Sequence, residues 1–231
     1  MGYSHDLDRM PSLSKPYRSN HQEIVEYRPR RFLVILGIAA VTALSLPNQA
    51  ASEPDAYRVS KGTIEIGVMT GFWQATTVVG DAPSANRSAI FVLPRVGLIV
   101  TDTVGTNWWR GNLELMLEPV YARFTQPFTA DLAGASLLAK YNFLVSRRWM
   151  PFVDAGGGLV WTDLAPRIPE ESIQMEFLLQ AGLGVHYFAT DTVTLTAGVR
   201  FSHISNAGLG ERNTGLNAVM PYVGLSFFLW R

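Results

Sequence analysis

Cysteine is missing from all 231 residues, which excludes disulfide scaffolds, thiol nucleophiles and Cys-based metal sites. Charge is scarce as well: Asp, Glu, Lys and Arg together make up 16% of the chain and cancel to a formal net charge of +0. No basic excess is present to bind nucleic acid, and the charges are too few to coat a soluble globule comfortably. No apolar run reaches the roughly 20 residues that a membrane-spanning helix needs. HExxH, P-loop and paired-Cys motifs are absent too, and the sequence implies no metal and no cofactor. What the chain does carry is 48% hydrophobic residues and 20 glycines, at a length that suits one closed barrel.

The N-terminal part reads differently from the rest. Arg28-Pro29-Arg30-Arg31 precede the apolar run from Phe32 to Leu46, and the segment from Pro47 to Ser52 ends in small residues. Basic, apolar and small segments in that order predict a secretory signal, cleaved near residues 50–52; an N-terminal anchor helix is the rival. Ahead of Arg28 the chain is polar and unpatterned, either an extension or a stretch before the true start. Residues 1–52 are therefore expected to be extension and signal, and residues 53–231 the mature domain. Its net charge is about −2, because residues 1–52 take away six Lys/Arg and four Asp/Glu.

From Thr63 onward, strand character predicts eight segments near 63–73, 88–100, 108–119, 132–146, 151–161, 173–188, 191–203 and 217–230. In the sixth, Met175, Phe177, Leu179, Ala181, Leu183, Val185 and Tyr187 share one face, and Gln174, Glu176, Gln180 and His186 the other. The third repeats this with Leu113, Leu115 and Leu117 against Asn112, Glu114 and Glu118. Such alternation with apolar residues outward marks a transmembrane barrel strand, which needs about 9–11 tilted residues. The connections are expected to alternate long and short, the long ones (74–87, 120–131, 162–172, 204–216) at the extracellular rim. An all-β, eight-stranded antiparallel transmembrane β-barrel of outer-membrane type follows; a soluble lipocalin-like barrel would reverse the two faces.

A barrel of eight strands is just wide enough for side chains to fill. Arg95, Glu114, Glu118, Lys140, Glu176 and Arg200 are expected in the lumen, paired and plugging it. Trp73, Trp108, Trp109, Tyr121, Trp149, Trp161, Tyr187 and Trp230 are expected to form interfacial girdles. His186 reads as a hydrogen-bonded lumen residue, and Gly156-Gly157-Gly158, lying mid-strand without a following helix, as close-packed barrel wall.

The stretch from His203 to Asn217, HISNAGLGERNTGLN, stands apart. His203 and Ser205 continue the apolar row of Val193, Leu195, Ala197, Val199 and Phe201, so a period of two aims both outward toward lipid. Asn217 has the outward parity of Val219, Val223 and Leu225 on the next strand. A hydroxyl beside an imidazole is an acyl-transfer pair, with Ser205 as nucleophile and His203 as base. Asn206, Gly208, Asn213 and Gly215 in the turn between them are oxyanion-hole candidates, and equally ordinary loop residues.

These fifteen residues resemble the signature of the lipid A 3-O-deacylase (PagL) family, eight-stranded outer-membrane barrels that remove the 3-linked acyl chain of lipid A. The resemblance implies that His203 is the catalytic base, Ser205 the nucleophile, and Asn206 and Asn213 the asparagines of the oxyanion hole and site geometry. It implies lipid A (lipopolysaccharide) in the outer leaflet as substrate and the outer membrane as location. At the family's third triad position, a Glu, this chain has Asn217; Glu211 in the same loop is the alternative acid. A barrel of this type also ends as a rule on an aromatic residue, whereas here Arg231 follows Trp230. Other readings stay open: a structural or adhesion barrel, a degenerate deacylase homologue, or an acyltransferase using the same serine. Whether the barrel forms a homodimer is equally open.

Overall fold

Strands in this chain form where small, β-branched and aromatic residues alternate with polar ones. The computed structural model describes residues 59–77 and 86–229; the expected signal, its cleavage region, Trp230 and Arg231 lie outside them. Eight strands follow in order: β1 (Ile64–Ala75), β2 (Ser88–Ile99), β3 (Gly111–Gln126), β4 (Ala130–Phe143), β5 (Trp149–Thr162), β6 (Met175–Phe188), β7 (Val193–Ser205) and β8 (Leu216–Leu229). Each pairs antiparallel with its sequence neighbours, and β1 pairs with β8, so the sheet closes into a barrel with every strand paired on both sides. Closure satisfies the backbone groups that lipid could not, which is the condition for crossing a membrane with strands.

The outer face is apolar. Leu137, Leu183 and Val223 are 68%, 58% and 60% exposed, a degree of exposure that apolar side chains sustain around a whole barrel only against lipid. The lumen is filled in layers. At the rim where β1 ends and β8 begins, Trp73, Phe91, Phe124, Leu132, Leu178, Ile204 and Met220 pack into an apolar core. Below them, Glu118 lies between two guanidiniums, with Arg95 Nη2 at 2.8 Å and Arg200 Nη1 at 2.5 Å, while Arg200 Nη2 reaches Asp154 at 2.8 Å. The next layer holds Lys140 between Glu65 and Glu114. His186 is also there, with Nδ1 2.8 Å from Thr196 Oγ1.

The six charges expected in the lumen are all buried, and Glu65 and Asp154 join them. Each of these two is an isolated charge on an otherwise apolar strand, hard to place by pattern alone. The expected pairing fails for Glu176: neither of its oxygens receives a hydrogen bond among the described residues. Trp73 is a second correction. It shares the inward row of Glu65 and Met69, is buried, and donates from Nε1 to Ser202 Oγ at 2.9 Å, so it is a core residue and not part of a girdle. Trp108, Trp109, Tyr121, Trp149 and Trp161 are exposed as a girdle requires.

The alternation of long and short connections does not hold throughout. β3 continues past Pro119, because Val120, Ala122 and Phe124 keep the inward row while Tyr121 and Arg123 face out. The expected long connection 120–131 shrinks to residues 127–129, and the expected short one spans 100–110 with a 3-10 turn at Asn107–Trp109. Continuing the β2–β3 register across its gap places Pro94 opposite Pro119. Neither proline has an N–H to donate, so the ladder is interrupted once instead of at two separate places.

Removing the carboxylate that two buried guanidiniums share is expected to be costly. Glu118→Gln should lower the free energy of unfolding by about 3–5 kcal/mol, and Leu183→Arg, on the lipid face, by about 2–4 kcal/mol. Breaking the exposed Arg123–Asp131 pair should change it by less than about 1 kcal/mol. Urea titration of the barrel in phospholipid vesicles measures all three.

Candidate active site at the rim of the barrel

β7 and β8 deliver the candidate residues to one rim. Their register sets His203 directly opposite Asn217, and His203 Nδ1 lies 2.8 Å from Asn217 Oδ1. A carbonyl oxygen only accepts, so this contact assigns the ring hydrogen to Nδ1 and leaves the lone pair on Nε2. That is the tautomer a general base needs. Asn217 is 7% exposed, so little water competes for its oxygen.

Ser205 is the last residue of β7, one residue pair beyond His203 in the outward row, and not in the following loop as expected. No hydrogen bond joins its hydroxyl to His203 among the described residues; such bonds often tighten only once a substrate is bound. Around the pair the wall is apolar: Phe177 is the cross-strand partner of Ser205 and Leu179 that of His203, both exposed toward lipid.

The loop from residue 206 to 215 is shaped by its asparagines. Asn206 is fully buried. Its Nδ2 donates to Glu171 Oε2 and to the Arg212 carbonyl, each at 2.6 Å. Its Oδ1 accepts from Gly208 N at 3.0 Å and Gly210 N at 3.3 Å, and its own N–H donates to Asn213 Oδ1 at 2.9 Å. Both amide hydrogens are thus committed within the loop, so Asn206 holds the turn that follows Ser205 in shape and has no side-chain donor left over. Asn213 braces the same turn from the far side by accepting that bond from Asn206 N.

Gly215 closes the loop with φ at +77°, a conformation that glycine adopts without the cost a side chain carries. It also leaves room for the imidazole: a Cβ there would sit 2.7 Å from His203 Cε1 and 3.3 Å from Nε2. Glu211, the alternative acid, lies exposed in the loop. Among the described residues it makes no hydrogen bond to His203, whose Nδ1 is taken by Asn217.

The connection between β5 and β6 supplies what sequence reasoning missed. Glu171 is buried; besides Asn206 it accepts from Gly215 N at 2.9 Å. One carboxylate therefore touches the residue after Ser205 and the glycine beside His203. Burial pushes the Glu171 carboxyl above the ordinary range, against the opposing pull of the Gly215 and Asn206 hydrogen bonds. Its neighbour Glu170 is gripped by Arg87, with Nη2 at 2.7 and 2.5 Å from the two oxygens. Arg212 spans back to the carbonyls of Pro166, Ile168 and Glu171 at 3.1, 3.2 and 3.1 Å. The only advance signal was a Pro-Glu-Glu run, residues 169–171, in a chain so poor in charge.

A sequence model of the lipid A 3-O-deacylase (PagL) family matches residues 71–226. No curated protein matches the chain. Among solved structures, that of the outer membrane enzyme PagL superposes with a TM-score of 0.50 at 16% identity, covering 69% of this chain and 97% of that one. The N-terminal β-barrel domain of Pseudomonas aeruginosa OprF gives 0.46 at 18% identity, covering 74% and 100%. OprG from the same organism gives 0.46 at 14%, covering 77% and 100%. At 16% identity the likeness to the PagL structure speaks for the fold alone. The family match runs from β1 into β8 and includes the whole candidate site: the chain is an outer-membrane β-barrel that belongs to the lipid A 3-O-deacylase (PagL) family.

Proposed function

We propose that this protein is a serine esterase that hydrolyses the 3-O-linked acyl chain of lipid A in the outer leaflet, with the 206–215 loop at the extracellular rim. The observation that carries this reading is the His203–Asn217 contact on the lipid-facing wall, with Ser205 in the same outward row. A substrate that diffuses in the membrane would reach such a site sideways, without entering the lumen. Export by the segment ending near residues 50–52, followed by assembly of residues 53–231 in the outer membrane, belongs to the same proposal.

In the first step, Ser205 Oγ attacks the ester carbonyl while His203 Nε2 takes the hydroxyl proton. The tetrahedral oxyanion collapses, the sugar oxygen leaves with the proton that His203 returns, and the acyl chain stays on Ser205. Water then attacks the acyl-enzyme with His203 again as base, releasing the fatty acid. Backbone N–H groups of the glycine-containing turn after Ser205 are the donors within reach of the oxyanion, each worth roughly 10²–10³ in rate. The Asn206 side chain contributes by holding that turn.

Asn217 sets the limit on this site. Its carbonyl orients the imidazole and fixes the tautomer, but an amide carries no charge to stabilise the imidazolium formed in the first step. In a serine protease the corresponding loss of the carboxylate costs about 10⁴ in turnover, whereas Cys–His–Asn hydrolases work with an amide. The neutral residue is also what a decayed member of the family would carry.

Mass spectrometry of lipid A incubated with the refolded barrel tests both readings. Loss of one ester-linked 3-hydroxyacyl chain is expected, abolished in Ser205→Ala with folding intact and faster in Asn217→Glu. A silent parent with an active Asn217→Glu variant identifies a decayed site, and silence from all, with folding confirmed, overturns the deacylase reading. Gly215→Ala, whose methyl group would press on the His203 ring, should lower turnover by about 10²-fold through misplacement of the base.

A further inference from the structure

Glu176 opens the lumen side of β6, just beneath the rim loops. It is completely buried, and among the described residues no donor reaches either carboxylate oxygen. Its neighbour is Glu171. The surrounding groups offer no counter-charge: Val160 faces it from β5, and beyond Ser205 the register of β6 with β7 leads to Asn206. The described cations of the adjoining connections are engaged elsewhere, Arg87 with Glu170, Arg167 over the Phe128 ring and Arg212 with backbone carbonyls. Two buried carboxylates in contact without a cation between them do not both ionise; one keeps a proton. A protonated Glu176 becomes the donor that its burial demands, and Glu171 stays the anionic acceptor for Asn206 and Gly215.

Resting on the deacylase reading of the same site, we infer that Glu171 is a positioning residue for Ser205 and His203, held in place by a single hydrogen shared with Glu176. The carboxylate ties the turn after Ser205 to the glycine against the His203 ring. Loss of the shared hydrogen sets two anions against each other and pushes Glu171 off both donors. Glu171 does not reach the reacting ester; it acts through the backbone that aims the nucleophile and the base.

Two buried carboxylates in contact can keep only one charge between them, so stripping the shared proton with rising pH is the perturbation that tests the tie. Turnover on lipid A is compared from neutral to alkaline pH for the parent, Glu176→Gln and Glu171→Gln in vesicles, alongside hydrogen-exchange protection of residues 206–215. The parent should lose kcat at alkaline pH with KM little changed, and loop protection should fall over the same range. Glu176→Gln carries an amide hydrogen that does not titrate and should keep both. Glu171→Gln should lower kcat by roughly 10²-fold at every pH and weaken loop protection without unfolding the barrel. An alkaline loss in Glu176→Gln equal to the parent's, or parental kcat and protection in Glu171→Gln, overturns the inference. Protection reports on the tie without turnover. If no variant cleaves lipid A while protection still follows Glu176, the deacylase reading fails and the tie stands. If lipid A is cleaved but protection ignores Glu176, the tie fails and the deacylase reading stands.

Discussion

Every strand residue of a closed barrel in lipid has one of two destinations, the hydrocarbon or a lumen with room for side chains only, and parity decides which. The lumen accepts charge only where it is compensated, which is why Glu118 sits between Arg95 and Arg200 and Lys140 between Glu65 and Glu114. Those layers join strands far apart in sequence, from β1 to β7, and fill the interior that a pore would need. The catalytic candidates are consequently displaced to the other face. A polar pair on the lipid wall is costly at mid-membrane and cheap near the interface, and His203 and Ser205 lie at the rim.

The site depends on two connections clamped together. Arg212, Ser172 and Glu171 bind the β5–β6 and β7–β8 connections through a dense set of side-chain to backbone bonds. The effect is preorganisation: the turn after Ser205 and the glycine beside His203 are set by a residue more than thirty positions upstream. A loop left to itself would sample many arrangements and lose that ordering entropy on each encounter with substrate.

Legibility in the sequence varied from residue to residue for physical reasons. His203, Ser205 and Asn217 were readable because a period of two is rigid and their strands end close together. Trp73 was misplaced because aromatic residues suit both an interface and a core, and only its parity with Glu65 and Met69 separates the two. The end of β3 was misplaced because Pro119 reads as a strand breaker, and the opposing Pro94 that makes it tolerable belongs to another strand. Glu171 was missed because its partners, Asn206 and Gly215, lie on a connection that pattern analysis treats separately.

The sequence by itself determined the number of strands, their alternation and the outward row that carries His203 and Ser205, because these follow from local periodicity. Only the tertiary structure decided which tautomer His203 adopts, that the amide hydrogens of Asn206 are consumed within its loop, that Glu171 joins the two halves of the site, and that Glu176 is buried with no donor among the described residues. Those properties arise from contacts between segments distant in the chain, where distance and direction matter and periodicity carries no information.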